Sequence, residues 1–222
     1  MNDQPIADIE WRDDTIPVSK QFDDPYFSIN DGLAETRHVF IAGNDLPQRF
    51  GGDFHIGELG FGTGLNFLTT WAAWIADGSR GMVTFTTFEA FPMSLDETER
   101  ALAAFPEIAP LADQMIAGLR AGDTTFGNIR LNIVTGDVRE TLPQSDLQAD
   151  AWFLDGFSPA KNPEMWGANL MQHVYDHTAL GGTFATYTAA GHVRKSLETA
   201  GFTVTRTKGF AHKRHMSRGI KE

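Results

Sequence analysis

Short apolar runs alternate with amphipathic stretches from residue 53 to the end of the chain. The runs have the length of buried strands, and the stretches between them have helical periodicity. The predicted strands are Phe54–Leu59, Val83–Glu89, Ile129–Thr135, Ala151–Leu154, Thr183–Thr188 and Phe202–Arg206, with Ala211–Ile220 as a further antiparallel strand. The predicted helices are Leu65–Ala76, Leu95–Phe105, Ile108–Leu119, Val138–Leu142, Met165–Thr178 and His192–Ala200. This alternation predicts an α/β fold with a mostly parallel central sheet and helices on both faces.

Residues 1–52 lack this periodicity and are rich in Asp and aromatic residues. The tripeptide Asn30-Asp31-Gly32 is typical of a hairpin turn between short extended segments. We expect a β-rich N-terminal extension, packed on the same domain as residues 53–222. The length of 222 residues suits a single α/β domain.

A glycine-rich turn follows the first periodic strand, with glycines at Gly60, Gly62 and Gly64. Glycines permit a tight turn and close approach of the backbone to a ligand, and the helix that follows offers free N–H groups. A dinucleotide fingerprint would require another glycine at Leu65, which is absent. The alternatives for this segment are a nucleotide-type cofactor site and a tight turn without a ligand.

The pattern E-x-G-x-G-x-G, which begins at Glu58, is similar to the first motif of S-adenosylmethionine (SAM) methyltransferases. In that motif the acid at the strand end helps to hold the amino-acid end of the cofactor. Thr63 and Asn66, within and just after the turn, are further candidate cofactor-binding residues.

Acidic residues end three later strands: Glu89, Asp137 and Asp155. The carboxyl ends of strands line the ligand crevice of an open α/β sheet. Glu89 suits both ribose hydroxyls of an adenosyl group, and Asp137 suits the adenine amino group. The alternative for each acid is a helix N-cap or a solvated loop residue, and Asp137 is the strongest candidate for an N-cap.

The composition excludes several kinds of chemistry. Cysteine is absent, which excludes disulfides, thiolate metal sites and a cysteine nucleophile. The seven histidines show no metal-ligand spacing, so we expect no metal. The sequence contains no membrane span or signal peptide, and we expect a cytoplasmic protein.

Charge is distributed unevenly along the chain. The net charge is −11, yet residues 194–222 contain eight basic and two acidic residues. Such asymmetry is typical either of a phosphate-binding face or of a solvated basic edge. Charge alone does not distinguish these two interpretations.

Three segments carry a family resemblance: DDPYFSINDGLAETRHVF at residues 23–40, ELGFGTGLNFL at 58–68 and DGFSPAKNPEMW at 155–166. The sequence resembles the methyltransferase half of the bifunctional MnmC family, or its stand-alone MnmD-type relatives. These enzymes complete 5-methylaminomethyl-2-thiouridine at the tRNA wobble position. The resemblance implies a Rossmann-like SAM methyltransferase that acts on an aminomethyl group of tRNA.

The resemblance also implies roles for individual residues. Asp155 would face the methyl donor and the substrate amine and act as the catalytic residue. If the basic C-terminal segment is a phosphate-binding face, the tRNA contacts would come from Lys208, Lys213, Arg214 and Arg218. No second glycine-rich fingerprint for an FAD-dependent oxidase follows before Glu222, so we expect the aminomethyl precursor to come from a separate oxidase or another modification enzyme.

The residues themselves indicate a mechanism for an amine acceptor. An alkylamine has a pKa of roughly 10, so the site must select or generate the neutral amine. We expect the Asp155 carboxylate to orient the nitrogen and receive its proton. Phe157 and Tyr26 would form an apolar slot around the base, although core packing is an equal interpretation for both. Lys161 is a candidate phosphate or base contact.

Other functional classes remain as alternatives. The main one is a SAM-dependent transferase acting on a small-molecule amine, including an aminopropyl transferase. A nicotinamide oxidoreductase and a non-catalytic tRNA-binding module are the others. The basic C-terminal segment disfavours the first, the residue Leu65 disfavours the second, and the complete set of strand-end acids disfavours the third.

Overall fold

The computed structural model describes residues 5–28, 31–78 and 80–222. The strands in these ranges are β1 (Ile9–Arg12), β2 (Ile16–Ser19), β3 (Asp24–Pro25), β4 (Phe54–Leu59), β5 (Val83–Glu89), β6 (Thr125–Phe126), β7 (Ile129–Thr135), β8 (Ala149–Leu154), β9 (Thr178–Thr186), β10 (Thr203–Thr207) and β11 (Met216–Ile220). The α-helices are α1 (Gly32–Thr36), α2 (Leu65–Ala76), α3 (Leu95–Leu102), α4 (Ala109–Ala121), α5 (Val138–Thr141), α6 (Ala168–Asp176) and α7 (Gly191–Ala200).

An eight-stranded sheet forms the centre of the molecule, in the order β10-β11-β9-β8-β4-β5-β7-β6. The pairs β4–β5, β4–β8, β5–β7 and β8–β9 are parallel. Strand β11 is antiparallel to both of its neighbours, and β6 is antiparallel to β7. The predicted, mostly parallel α/β sheet is therefore confirmed, including the antiparallel final strand.

The order of strands reverses at β4. From β4 the chain moves outward through β5 to β7, and it then returns to the other side of β4 to form β8 and β9. In an open α/β sheet, ligands bind at such a reversal, outside the carboxyl ends of the strands. Glu58 lies near the end of β4, and Asp155 directly follows β8.

The predicted bounds are exact for β4, β5, β7 and α2 and shift by a few residues elsewhere. The largest shifts are at the starts of β9 and β11, and α6 also begins later than predicted. The residues Pro163–Trp166, at the start of the predicted α6, form a separate 3-10 turn, since Pro163 opens a new turn and Gly167 ends it. Strand β9 begins earlier than predicted because Gly181 and Gly182 lie within it.

The N-terminal extension is β-rich only in its first half. Strands β1, β2 and β3 form an antiparallel sheet, whereas α1 is followed by a π-helical turn, Arg37–Ile41, and a 3-10 turn, Ala42–Asn44. The predicted hairpin turn is wrong at Asp31 and Gly32, and Asn30 lies outside the described residues. Asp31 instead caps α1 by accepting a hydrogen bond from the Ala34 N–H, so the signal was that of a helix N-cap.

The extension and the sheet share one hydrophobic core. Leu33, Val39 and Phe40 are buried in the same cluster as Phe67 of α2 and Phe153 of β8. We propose that residues 1–52 fold together with the rest of the chain as a single domain. No helix in the described part of the chain is long and apolar enough to cross a bilayer.

Gly57, next to Glu58 in β4, permits close packing by the buried ring of Trp152 in β8. A Cβ at Gly57 would lie 2.7 Å from Trp152 Cε3, so the ring or the strand would have to move. We expect Gly57→Ala to lower the free energy of unfolding by about 1–3 kcal/mol in urea denaturation. Gly51→Ala is the matched control, because a Cβ at Gly51 meets nothing nearer than 4.0 Å. Equal stability of the two variants would contradict this account of the packing.

Candidate active site

The glycine-rich turn leaves β4 with three residues in the left-handed region. The φ angles are 82° at Gly60, 53° at Gly62 and 77° at Gly64. A Cβ at Gly62 would point toward the ring of Tyr26, 3.4 Å away, and so narrow the space above the turn. The turn therefore requires glycine both for its backbone conformation and for the space that it leaves.

A cavity of about 860 Å³ opens over the turn at the carboxyl ends of the strands. This volume lies within the range of small-molecule and cofactor sites, roughly 300–1,000 Å³. Residues of the extension, the glycine-rich turn and the loops after β5, β7 and β8 contribute to its wall. The predicted cofactor-binding residues in that wall are Gly60, Gly62, Thr63, Asn66, Glu89, Asp137 and Asp155.

Asn66, in the first turn of α2, connects two carboxyl groups. Its Nδ2 donates to Glu58 Oε1 at 2.8 Å and to Asp155 Oδ2 at 2.7 Å. Its Oδ1 accepts from the Thr36 hydroxyl of α1 at 2.9 Å. Thr36 of the N-terminal extension thus fixes the Asn66 amide, and the Asn66 NH₂ group donates to both acids.

Glu58 differs from its expected role. Its side chain is fully buried and does not belong to the cavity wall, and burial raises its pKa well above the ordinary value. Gly64 also lies beneath the wall, against Phe61 and Met115. Glu58 therefore holds Asn66 in this structure, and its contact with a cofactor stays a prediction.

Two hydrogen bonds hold the Asp155 carboxylate in the cavity wall. Its Oδ1 accepts from the Gly156 N–H at 2.8 Å, while its Oδ2 accepts from Asn66. Burial raises the pKa of Asp155 to about 6, and the two hydrogen bonds oppose that rise. The carboxylate is therefore mostly ionised at neutral pH and still basic enough to accept a proton near that pH.

Glu89, at the end of β5, accepts two backbone hydrogen bonds. Its Oε2 accepts from the Gly62 N–H at 3.0 Å, and its Oε1 accepts from the Phe91 N–H at 2.8 Å. These bonds fix the carboxylate beside the glycine-rich turn. Each oxygen keeps a lone pair, so the carboxylate can still accept from vicinal hydroxyls.

Asp137 follows β7 and is the N-cap of α5. Its carboxylate accepts from the Arg139 N–H at 2.9 Å and forms an ion pair with the Arg139 guanidinium. That guanidinium holds the pKa of Asp137 below its ordinary value. The N-cap interpretation is the one observed, and a contact with adenine would have to share this carboxylate with Arg139.

Aromatic rings form one side of the cavity. Phe157 stacks on Phe22, with ring centroids 4.7 Å apart, and meets the edge of Tyr26 at 5.0 Å. All three residues line the cavity, next to the turn that carries Asp155. The rings are thus brought together with the acid, as the sequence predicted for Tyr26 and Phe157, and they can stack on a planar or cationic group.

The predicted basic contacts divide into two groups. Lys161, Lys213 and Arg218 form ion pairs with Asp23, Glu35 and Asp45, which all belong to the N-terminal extension. Lys208 and Arg214 are exposed in the loop between β10 and β11. Only Lys213 of the basic C-terminal residues lies in the cavity wall.

Three residues of this site were not predicted from the sequence: Glu35, Thr36 and Tyr187. The Tyr187 hydroxyl donates to the Gly156 carbonyl at 2.8 Å, and Glu35 pairs with Lys213 at the cavity wall. Tyr187 follows β9, so its position after a parallel strand was an available signal. Glu35 and Thr36 had no such signal, because their role depends on how the extension folds back over α2.

The site fits the cofactor that its sequence motif indicates. The open space above Gly60 and Gly62 is one that side chains would fill, and Glu89 offers acceptors for hydroxyl groups. Asp155 and the three rings suit a positively charged sulfonium. Among the described residues, no cluster of His, Asp or Glu is arranged to hold a metal ion.

Comparison with known proteins gives relatives along nearly the whole chain. The tRNA 5-methylaminomethyl-2-thiouridine biosynthesis bifunctional protein MnmC of Ectopseudomonas mendocina is 46% identical over 99% of this chain and 35% of its own length. The protein with the same description from Leptospira borgpetersenii is 43% identical over 95% of this chain and 34% of its own length. The chain thus spans about a third of the length of these curated relatives.

The solved structure of MNMC2 from Aquifex aeolicus superposes with a TM-score of 0.78, over 98% of this chain and 71% of that one, at 22% identity. At this identity the likeness shows the shared fold. The model of the S-adenosyl-L-methionine-dependent methyltransferase family matches residues 104–222, more than half of the chain. With the glycine-rich turn and strand-end acids in place, the chain belongs to the family of S-adenosyl-L-methionine-dependent methyltransferases.

Proposed function

We propose that this chain methylates the primary amine of a 5-aminomethyl-2-thiouridine at the wobble position of tRNA, giving the 5-methylaminomethyl product. The observation that carries this proposal is the Asp155 carboxylate, held by Asn66 and Gly156 at the end of an aromatic cavity. The names of the MnmC relatives support the choice of nucleoside and of tRNA.

The cofactor, when bound, supplies a methyl group on a positively charged sulfur that an amine nitrogen can attack in line. The chain's own residues then have three tasks. Gly60 and Gly62 leave room beside Glu89 for the adenosyl group, and the rings of Tyr26 and Phe157 exclude water from the reacting end. Asp155 accepts an N–H bond from the amine, aligns its lone pair and takes the proton that the amine loses.

A small-molecule amine is a weaker candidate substrate. Lys213 lines the cavity, and the exposed Lys208 and Arg214 lie on the same loop. Basic residues in a loop that borders a cavity favour a substrate that carries phosphates. This arrangement supports tRNA as the partner over a free amine.

Asp155 is predicted to be required for methyl transfer. Asp155→Asn keeps the shape of the side chain but cannot accept a proton, so we expect methyl transfer to fall by about 10²–10⁴-fold. The measurement is nucleoside mass spectrometry of aminomethyl-uridine tRNA incubated with methyl-labelled SAM. Asp146→Asn, at an exposed aspartate before β8, is the control and should retain full activity.

The pH dependence gives a second readout of the same group. For the wild type, kcat/KM should rise as Asp155 loses its proton near pH 6, and Asp155→Asn should lack that limb. Burial raises the pKa of Asp155 from 3.8 to about 6. The folded wild type should therefore lose stability as the pH rises through about 6 and Asp155 loses its proton. Asp155→Asn should lack this pH-dependent loss of stability. An Asp155→Asn variant with wild-type activity would contradict the assignment.

Glu89 is predicted to control affinity for SAM. In Glu89→Gln, one of the two backbone N–H groups would face an amide donor instead of an oxygen, and the charge near the ribose would be lost. We expect the Kd for SAM, measured by titration calorimetry, to rise about tenfold or more. Glu140→Gln, at an exposed position of α5, is the matched control. Unchanged binding in Glu89→Gln would remove Glu89 from the cofactor site.

The basic loop is predicted to bind tRNA phosphates. For wild type, log K for tRNA should fall linearly with log salt. The double variant Lys208→Gln/Arg214→Gln should show a shallower slope, by about 0.7–0.9 for each phosphate that the variant no longer neutralises. Arg130→Gln, at an exposed residue of β7 near the opposite edge of the sheet, is the control. A double variant with the wild-type slope would place the tRNA elsewhere.

A further inference from the structure

A lysine ammonium from the chain itself binds at the cavity wall, close to Asp155. Lys213 Nζ donates to Glu35 Oε1 at 2.6 Å and lies 4.7 Å from the centroid of the Tyr187 ring. A carboxylate and an aromatic face are the two groups that bind an alkylammonium most directly. Lys213, Glu35 and Tyr187 all line the same cavity as Asp155.

Both groups of this ammonium site are fixed by bonds that lead to Asp155. Tyr187 donates to the carbonyl of Gly156, the residue after Asp155. Glu35 precedes Thr36, which donates to Asn66, and Asn66 donates to Asp155. The charges also interact, since Glu35 raises the pKa of Asp155 and Lys213 lowers it. The site thus lies within electrostatic reach of the catalytic carboxylate.

The two partners of this ion pair differ in exposure. The Glu35 side chain is 13% exposed, whereas that of Lys213 is 48% exposed. Lys213 is carried by the loop between β10 and β11, whereas Glu35 belongs to α1, whose Leu33 and Thr36 are buried. Glu35 is therefore held in the cavity wall by a helix that packs on the core, whereas Lys213 is the partner that can move away.

We propose that Glu35 and Tyr187 form the receiving site for the substrate's ammonium group, and that Lys213 occupies this site until the substrate displaces it. Lys213 presents a primary alkylammonium, which is the same chemical group as a protonated aminomethyl substituent. Once displaced, Lys213 is free to pair with a tRNA phosphate. From the receiving site the amine passes its proton to Asp155 before methyl transfer. This inference rests on the proposed function.

The test uses two variants with opposite expected effects on binding of the free nucleoside 5-aminomethyluridine, measured by calorimetry. Glu35→Gln removes the anion, so the nucleoside should bind about tenfold more weakly. Lys213→Met keeps the length of the side chain and removes the competing ammonium, so the nucleoside should bind about threefold more tightly. If Glu35 only anchored the loop through Lys213, both variants would change the affinity in the same direction, and that result would overturn the proposal.

Steady-state kinetics with aminomethyl-uridine tRNA separates this inference from the proposed function. We expect Glu35→Gln to raise the KM for the tRNA about tenfold, with a much smaller change in kcat and an unchanged Kd for SAM. Glu107→Gln breaks a comparable pair, with Arg37 at 3.0 Å, and serves as the control. If the wild-type enzyme does not methylate the tRNA, the proposed function is contradicted. If the wild type is active and Glu35→Gln has the same KM for the tRNA, only the proposed role of Glu35 is contradicted.

Discussion

The amide of Asn66 lies between two buried carboxyl groups, and the arrangement of the site depends on this contact. One side chain donates to Glu58 and to Asp155, so the two acids are held close together in a region of low solvent access. Two like charges at such a distance cannot both be ionised without a large electrostatic cost. Burial raises the pKa of Glu58 well above its ordinary value, which leaves Asp155 as the member that carries the charge.

This division of charge explains why the cavity suits cations. Asp155 is mostly ionised at neutral pH with a pKa of about 6, and aromatic rings lie beside it in the cavity wall. A sulfonium or an ammonium near this carboxylate stabilises its charged form, which burial disfavours. Strain of this kind is common at active sites, where a group that weakens the fold is kept because its ligands compensate for it.

The parallel sheet was predicted well because each strand or helix is indicated by the pattern of its own residues. Strands β4, β5 and β7 and helix α2 have continuous apolar or amphipathic patterns, and each acid was correctly placed at a strand end. The roles of those acids were predicted less well. Glu58 and Asp155 both lie at the end of a buried strand, and only the fold buries one and exposes the other to the cavity. The helix α1 was missed because Asp31-Gly32 has the same residue types as a hairpin turn.

A count of charges along the sequence does not show which of the basic C-terminal residues are already paired with acids in the fold. Two of them, Lys213 and Arg218, pair instead with Glu35 and Asp45 of the N-terminal extension, which is far away in sequence and adjacent in the fold. Part of the charge asymmetry along the chain is thus complementarity between its two ends. The Lys213 and Arg218 side chains stay partly exposed in these pairs, so a polyanion can compete with the acid partner for them. The same lysines and arginines can therefore hold the extension over the cavity in the free protein and bind phosphates in a complex, because neither partner is bound strongly enough to exclude the other.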